Sequence, residues 1–80
     1  MIDPNNVIPK YYQLANILRQ QIENGDFQPN DAIPSERKLE ERYNLSRPTI
    51  RQAIDLLGTQ GYLYRVHGKG TFVSPPKLQK

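Results

Sequence analysis

Eighty residues, 36% of them hydrophobic, allow one small domain whose short elements must share a single apolar cluster. With no cysteine and one histidine, a disulfide-stapled scaffold and a Cys- or His-based zinc site are excluded, and apolar runs of two or three residues are too short to cross a bilayer. The net charge of +3 is unevenly spread: residues 1–34 hold two basic against four acidic side chains, residues 35–80 nine against four, and such a basic second half points to a polyanionic partner.

The first eight residues are polar and are expected to be loose; they lack the basic start and apolar stretch of an export signal, so a cytoplasmic location is expected. Pro9 is suited to open a helix, its missing N–H costing nothing in a first turn. Tyr11, Leu14, Ala15, Leu18 and Ile22 then recur at spacings of three and four, and Gly25 ends the stripe, which predicts a helix over 9–24. "GDFQPNDAIPSE" is a turn-rich connector in which Phe27 plugs the core and Ala32–Ile33–Pro34 supplies a short edge strand. Ser35 is an N-cap and Glu36 suits the positive end of a helix, although Lys38 stands where a full capping box has Glu or Gln. A second helix runs from Ser35 to Tyr43, with Leu39 and Tyr43 on one face, and Asn44–Leu45 turns the chain.

Ser46 caps a third helix beginning at Arg47, with Pro48 tolerated in its first turn. Ile50, Ala53, Ile54 and Leu57 give the clearest helical period in the chain, and Gly61 ends it. "YLYRV" and "TFVS" around "HGKG" read as a hairpin, and 75–80 as the start of a linker. The predicted class is mainly α with a small β-hairpin.

Two short helices joined by a tight turn suggest a helix-turn-helix. Turning the apolar stripe of the third helix inward leaves Arg47, Pro48, Arg51, Gln52 and Asp55 outward. Arg47 and Arg51 lie one turn apart in its first turns, the part that reaches base edges when such a helix enters the major groove. A guanidinium fork matches guanine O6 and N7, or a phosphate. Ser46 and Thr49 place hydroxyls at a helix start where backbone N–H groups attract anions, and Ser35 with Arg37 makes a second such start.

The combined pattern "PSER…L…SRPTIRQAI…L…GYL…GKGTFV" resembles the winged helix-turn-helix of the GntR family of bacterial transcription regulators, with a wing similar to the HutC-type branch. The resemblance covers about residues 8–74 and implies a winged helix-turn-helix domain over 9–74. It implies that Arg37 contacts operator DNA, that Arg47 is the main base-reading arginine with Arg51 as the second, and that Ser46 and Thr49 bond to phosphates. His67 and Gly68 would form the wing tip in the minor groove, with Lys69 beside them. Pro48 stands where some relatives carry a hydroxyl residue. The family further implies a C-terminal effector-binding and dimerising domain, so this chain reads as the DNA-binding part of a longer, homodimeric, metabolite-responsive repressor.

Other functions fit less well. "HGKGT" is not a nucleotide-binding P-loop: Gly70 follows Lys69, Leu63 stands at the first glycine position, and strands flank the loop. No carboxylate pair, nucleophile–base set or metal cluster is evident, Glu40 and Glu41 reading as solvated charges, so no catalytic residue and no cofactor is expected. Tyr62, Tyr64 and Phe72 are assigned to packing behind the wing rather than to an RNA-stacking platform. A winged helix serving protein–protein contact is the alternative, and its binding would lack the steep salt response of phosphate contacts.

Overall fold

A computed structural model describes residues 2–76 of the chain. Its elements run α1 (Lys10–Glu23), α2 (Glu36–Tyr43), α3 (Arg47–Thr59), β1 (Leu63–Val66) and β2 (Gly70–Val73). The strands form an antiparallel hairpin, Leu63 opposite Val73 and Val66 opposite Gly70. Three helices and a hairpin wing are the architecture predicted from the sequence.

Each helix boundary has a local chemical cause. Pro9 lies just outside α1 in extended conformation, and its carbonyl accepts from the N–H groups of Tyr12 and Gln13. It therefore precedes the first turn rather than occupying it. At the other end Gly25 takes φ +87, the Gly25 N–H bonds to the Ile22 carbonyl, and the Asp26 N–H reaches back to Gln21. The end of α3 repeats this closure: Gly61 takes φ +86 and bonds to Gly58, and the Tyr62 N–H reaches Leu57 at 2.8 Å. Both are Schellman closures, in which a left-handed residue lets two N–H groups return to the last turn. Asn44 ends α2 in the left-handed region, at φ 55.

The predicted apolar positions meet in one cluster. Leu14, Ala15 and Leu18 of α1 face Ile50, Ala53, Ile54 and Leu57 of α3, with Leu39 of α2 beside them. Ile33 from the connector, Leu45 from the turn, and Leu63 and Val73 from the base of the hairpin complete it, and Phe27 packs against its edge as expected.

The edge strand expected over residues 32–34 is reduced to one bridge, Ala32 opposite Phe72. Even so, Ile33 N–H bonds to Thr71, and Asn30 and Asp31 exchange bonds with Val73, so the connector is fastened along the outer side of β2. The N-terminal segment also departs from the loose stretch expected. Gln13 is buried and holds it: its Oε1 accepts from the Asp3 N–H, while its Nε2 donates to the carbonyls of Asp3 and Ile8. Of the expected linker, Pro75 and Pro76 follow β2 without regular structure, and residues 77–80 lie outside the described residues.

Candidate nucleic-acid interface

Ser46 prepares the start of α3. Its Oγ accepts from the Thr49 N–H at 3.4 Å and shares a 2.9 Å hydrogen bond with the Thr49 hydroxyl. Only one of these two hydroxyl protons is used between them, so one remains to donate outward. At α2, Ser35 Oγ accepts from the Lys38 N–H at 3.2 Å, which leaves the Ser35 hydroxyl proton free of that bond. Each cap thus finishes a helix and still presents a donor.

The outward face of α3 is as the periodicity predicted: Arg47, Pro48, Arg51, Gln52 and Asp55 are all exposed. Arg47 is the first residue of the helix and Arg51 stands one turn further along. Across from them, Glu36 and Glu40 stand one turn apart on α2. Arg47 Nη2 donates to Glu40 Oε1 at 2.9 Å, and its Nε lies 3.9 Å from Glu36 Oε1. Arg51 Nε donates to that same Glu36 oxygen at 3.1 Å. The hydrogen bond to Glu40, reinforced by that residue's charge, holds the Arg47 guanidinium above its ordinary pKa. Glu40 is therefore not a free solvated charge. Its neighbour Glu41 lies on the outer side of α2, 3.7 Å from an Arg37 whose side chain is 81% exposed, a pairing of little energetic weight.

Ser35, Glu36, Arg37, Arg47 and Lys69 line one open groove of about 480 Å³ between the starts of α2 and α3 and the wing. A second groove of about 570 Å³ continues it along the wing past Arg65, His67, Gly68 and Lys69, and Glu36 lines both. Ser46, Thr49 and Arg51 lie outside these grooves, on the helix start beside them. A further hollow of about 490 Å³, between the end of α1, the connector and the chain after β2, holds none of the candidate side chains.

At the wing tip, His67, Gly68 and Lys69 form a three-residue loop closed by a 2.9 Å bond from the Lys69 N–H to Val66. Gly68 takes φ +76, and a Cβ there would meet no atom of the chain within 4 Å. Glycine is favoured by the backbone angle, and the open space lets another molecule come close. Tyr64 departs from its expected packing role. It is exposed, stacks on Phe72 at 5.7 Å, and donates to Asn30 Oδ1 at 2.7 Å.

Residues 10–73 match the family described as "Bacterial regulatory proteins, gntR family". The chain belongs to the GntR family. Among curated GntR-family relatives, the HTH-type transcriptional repressor NagR of Bacillus subtilis (strain 168) is 47% identical over 79 residues, covering 99% of this chain and 32% of NagR. The histidine utilization repressor of Pseudomonas putida is 41% identical over 69 residues, 86% of this chain and 28% of that protein. The GntR chain here thus spans about a third of the length of these relatives. Among solved structures, AraR(DBD) in complex with operator ORR3 superposes with a TM-score of 0.84 at 39% identity, covering 92% of this chain and 89% of that one. YtrA from Sulfolobus acidocaldarius, a GntR-family transcription factor, gives 0.88 at 26% identity over 96% and 81% of the two chains. The winged helix fold is therefore that of GntR DNA-binding domains.

Glu36 and Glu40 were not among the candidates read from the sequence. The available signal was their spacing of four residues, which matches that of Arg47 and Arg51 on the facing helix. Among the described residues, no group of three or more His, Cys, Asp or Glu side chains is arranged to hold a metal ion, and no helix is long and apolar enough to cross a membrane.

Proposed function

We propose that this domain binds double-stranded operator DNA in a sequence-specific manner, as the recognition unit of a metabolite-responsive repressor. One observation carries the reading: Arg47 and Arg51 stand exposed, one turn apart, at the capped start of α3, beside a groove lined by Ser35, Arg37 and Lys69. In this mode α3 enters the major groove and the two arginines read base edges. Ser35, Arg37, Ser46, Thr49 and Lys69 contact the backbone and set register, and His67 and Gly68 enter the adjacent minor groove. The AraR–operator complex supports this docking by likeness of fold.

The repressor names of NagR and the histidine utilization protein support the regulatory direction. A two-fold dimer on a pseudo-palindrome fits the same reading, because one domain of this size gains affinity chiefly by being linked to a second; a small effector on a further domain and a cytoplasmic setting belong to the same proposal. The reading is non-enzymatic.

The test is binding to a pool of DNA duplexes with a randomised core, followed by affinity measurements on the duplex selected. Wild-type protein enriches a defined sequence, and Arg47→Ala weakens binding to it by about 5- to 150-fold, the range of one lost bidentate contact. An unchanged affinity and unchanged base preference would remove Arg47 from the role. Binding that is flat in salt would overturn the DNA reading and favour a protein partner.

A further inference from the structure

Four charged side chains form a ladder across the helix-turn-helix, Glu36 and Glu40 on one rail and Arg47 and Arg51 on the other. Glu36 is shared by both arginines, and the glutamate side chains are less exposed, at 29% and 30%, than the arginines, at 46% and 58%. The glutamate side chains are thus more covered than the guanidiniums that pair with them. Arg51 is held through Nε alone, which leaves its two terminal nitrogens without a hydrogen bond or ion pair among the described residues. Arg47 is held through Nη2, with Nε near Glu36.

This arrangement discriminates between two kinds of acceptor. A phosphate is an anion, and its attraction to an arginine is reduced by a carboxylate lying 2.9 to 3.9 Å from the same guanidinium. Guanine O6 and N7 are neutral acceptors, so a fork already charge-balanced loses much less toward them. Two carboxylates against two guanidiniums leave the ladder without net charge, while the terminal donors of the exposed Arg51 stay unengaged among the described residues. Holding Arg51 at Nε also limits the rotamers it must give up on reading a base.

We propose that Glu36, with Glu40, is a specificity-determining pair that keeps Arg47 and Arg51 from being captured by the backbone of any duplex, so that they are spent on base edges. The proposal rests on the DNA-binding reading above. It makes the acidic residues a selective element of the interface, although removing them would strengthen general attraction to DNA.

The test uses the 80-residue chain, the duplex it selects from the randomised pool, and a scrambled duplex of the same length and composition. Glu36→Gln keeps size and an acceptor oxygen but removes the charge. It is expected to tighten binding to the scrambled duplex by about three- to tenfold and to reduce the ratio of selected to scrambled affinity by a similar factor. On the scrambled duplex the salt slope should steepen by about 0.9, one more phosphate neutralised. Glu40→Gln should act in the same direction and carries the test if Glu36→Gln does not fold, which thermal unfolding reports. Asp26→Asn, an exposed charge removed at the end of α1, controls for net charge and should leave the ratio unaltered. The proposal is overturned if the ratio holds in both glutamate variants, if both affinities fall together, or if Asp26→Asn lowers the ratio equally. A wild-type chain that selects no sequence from the pool overturns the DNA reading and this inference with it; a wild-type that selects a sequence which both glutamate variants select as sharply overturns this inference alone.

Discussion

The Arg65 guanidinium of β1 lies 2.6 Å from the Asp55 carboxylate of α3. This pair links the wing to the outward face of α3 and uses the one acidic side chain on that face. Both partners are about half exposed or more, so its contribution to stability is small, about 0.2–1 kcal/mol. Its larger expected effect is on the position of the wing. Arg65→Ala should leave the melting temperature within a few degrees of wild type yet speed amide exchange at the wing tip. Exchanging the two charges, Asp55→Arg with Arg65→Asp, should restore slow exchange. Slow exchange retained in Arg65→Ala would show that the hairpin ladder alone positions the wing.

The cap of α3 and its proposed phosphate contact can be separated at one position. Ser46→Ala should cost about 1 kcal/mol of stability, measured by urea unfolding, because the Thr49 N–H loses its acceptor. Ser46→Asp should keep that stability, since aspartate caps as well as serine and suits the positive helix end. Binding to the selected duplex should nevertheless fall in Ser46→Asp, by charge repulsion with the backbone. Stable protein with unchanged binding would place Ser46 outside the interface.

Gly68 has space around it but a backbone angle that side chains disfavour. Gly68→Ala should destabilise the hairpin by roughly 1–2 kcal/mol, and Gly68→Asn by less, because asparagine visits the left-handed region more readily. If docking needs close approach at this point, Gly68→Asn should still lose affinity for DNA while remaining folded. Equal affinity in Gly68→Asn and wild type would limit the glycine's role to the turn.

Leu57 is fully buried where α3 meets α1. Leu57→Ala should cost about 2–5 kcal/mol, which is a large part of the stability of a domain this small. Thermal unfolding would show a much lowered midpoint or no cooperative transition. A loss under 1 kcal/mol would mean that the core closes over the vacated space.

Tyr62 donates its hydroxyl proton to Glu23 Oε2 at 2.9 Å, and this bond, with burial next, raises its pKa from the ordinary 10.0. The unfolded chain then loses the Tyr62 proton first as pH rises. The folded state binds more protons above pH 10.0, so this group's contribution is complete below that pH and is lost as pH climbs through the raised folded value. Stability above pH 10.0 should therefore decline less steeply in Tyr62→Phe than in wild type, measured by urea unfolding at several pH values. Equal slopes would show that the bond to Glu23 is not maintained in solution.

The helices were legible because their signals are local. Serine caps, closing glycines and a stripe at Ile50, Ala53, Ile54 and Leu57 need nothing beyond the neighbouring turn to act. The outward placement of Arg47 and Arg51 follows from that stripe by subtraction. The ladder with Glu36 and Glu40 does not, because the angle at which two helices cross decides which of their exposed charges meet. Gln13 was hidden for a related reason: a polar side chain beside an apolar stripe reads as surface, and its burial depends on a segment ten residues upstream folding back to use it. Tyr64 shows the limit of strand alternation in a four-residue strand. Only the base of the hairpin, at Leu63 and Val73, reaches the core, so beyond it Tyr64 and Val66 are exposed and Phe72 is only partly buried.

Tyr62 is at once the last partner of α3, through its N–H on Leu57, and the first partner of the hairpin, through its carbonyl on the Ser74 N–H. Gln60 and Gly61, the residues between α3 and Tyr62, are themselves tied back to Leu56 and Gly58. Under the proposed docking, the span from the recognition arginines to the wing tip becomes a fixed gauge, and the DNA must bring its major and minor grooves to it. Duplexes that are too stiff or wrongly twisted to match would be rejected at base pairs that no side chain touches.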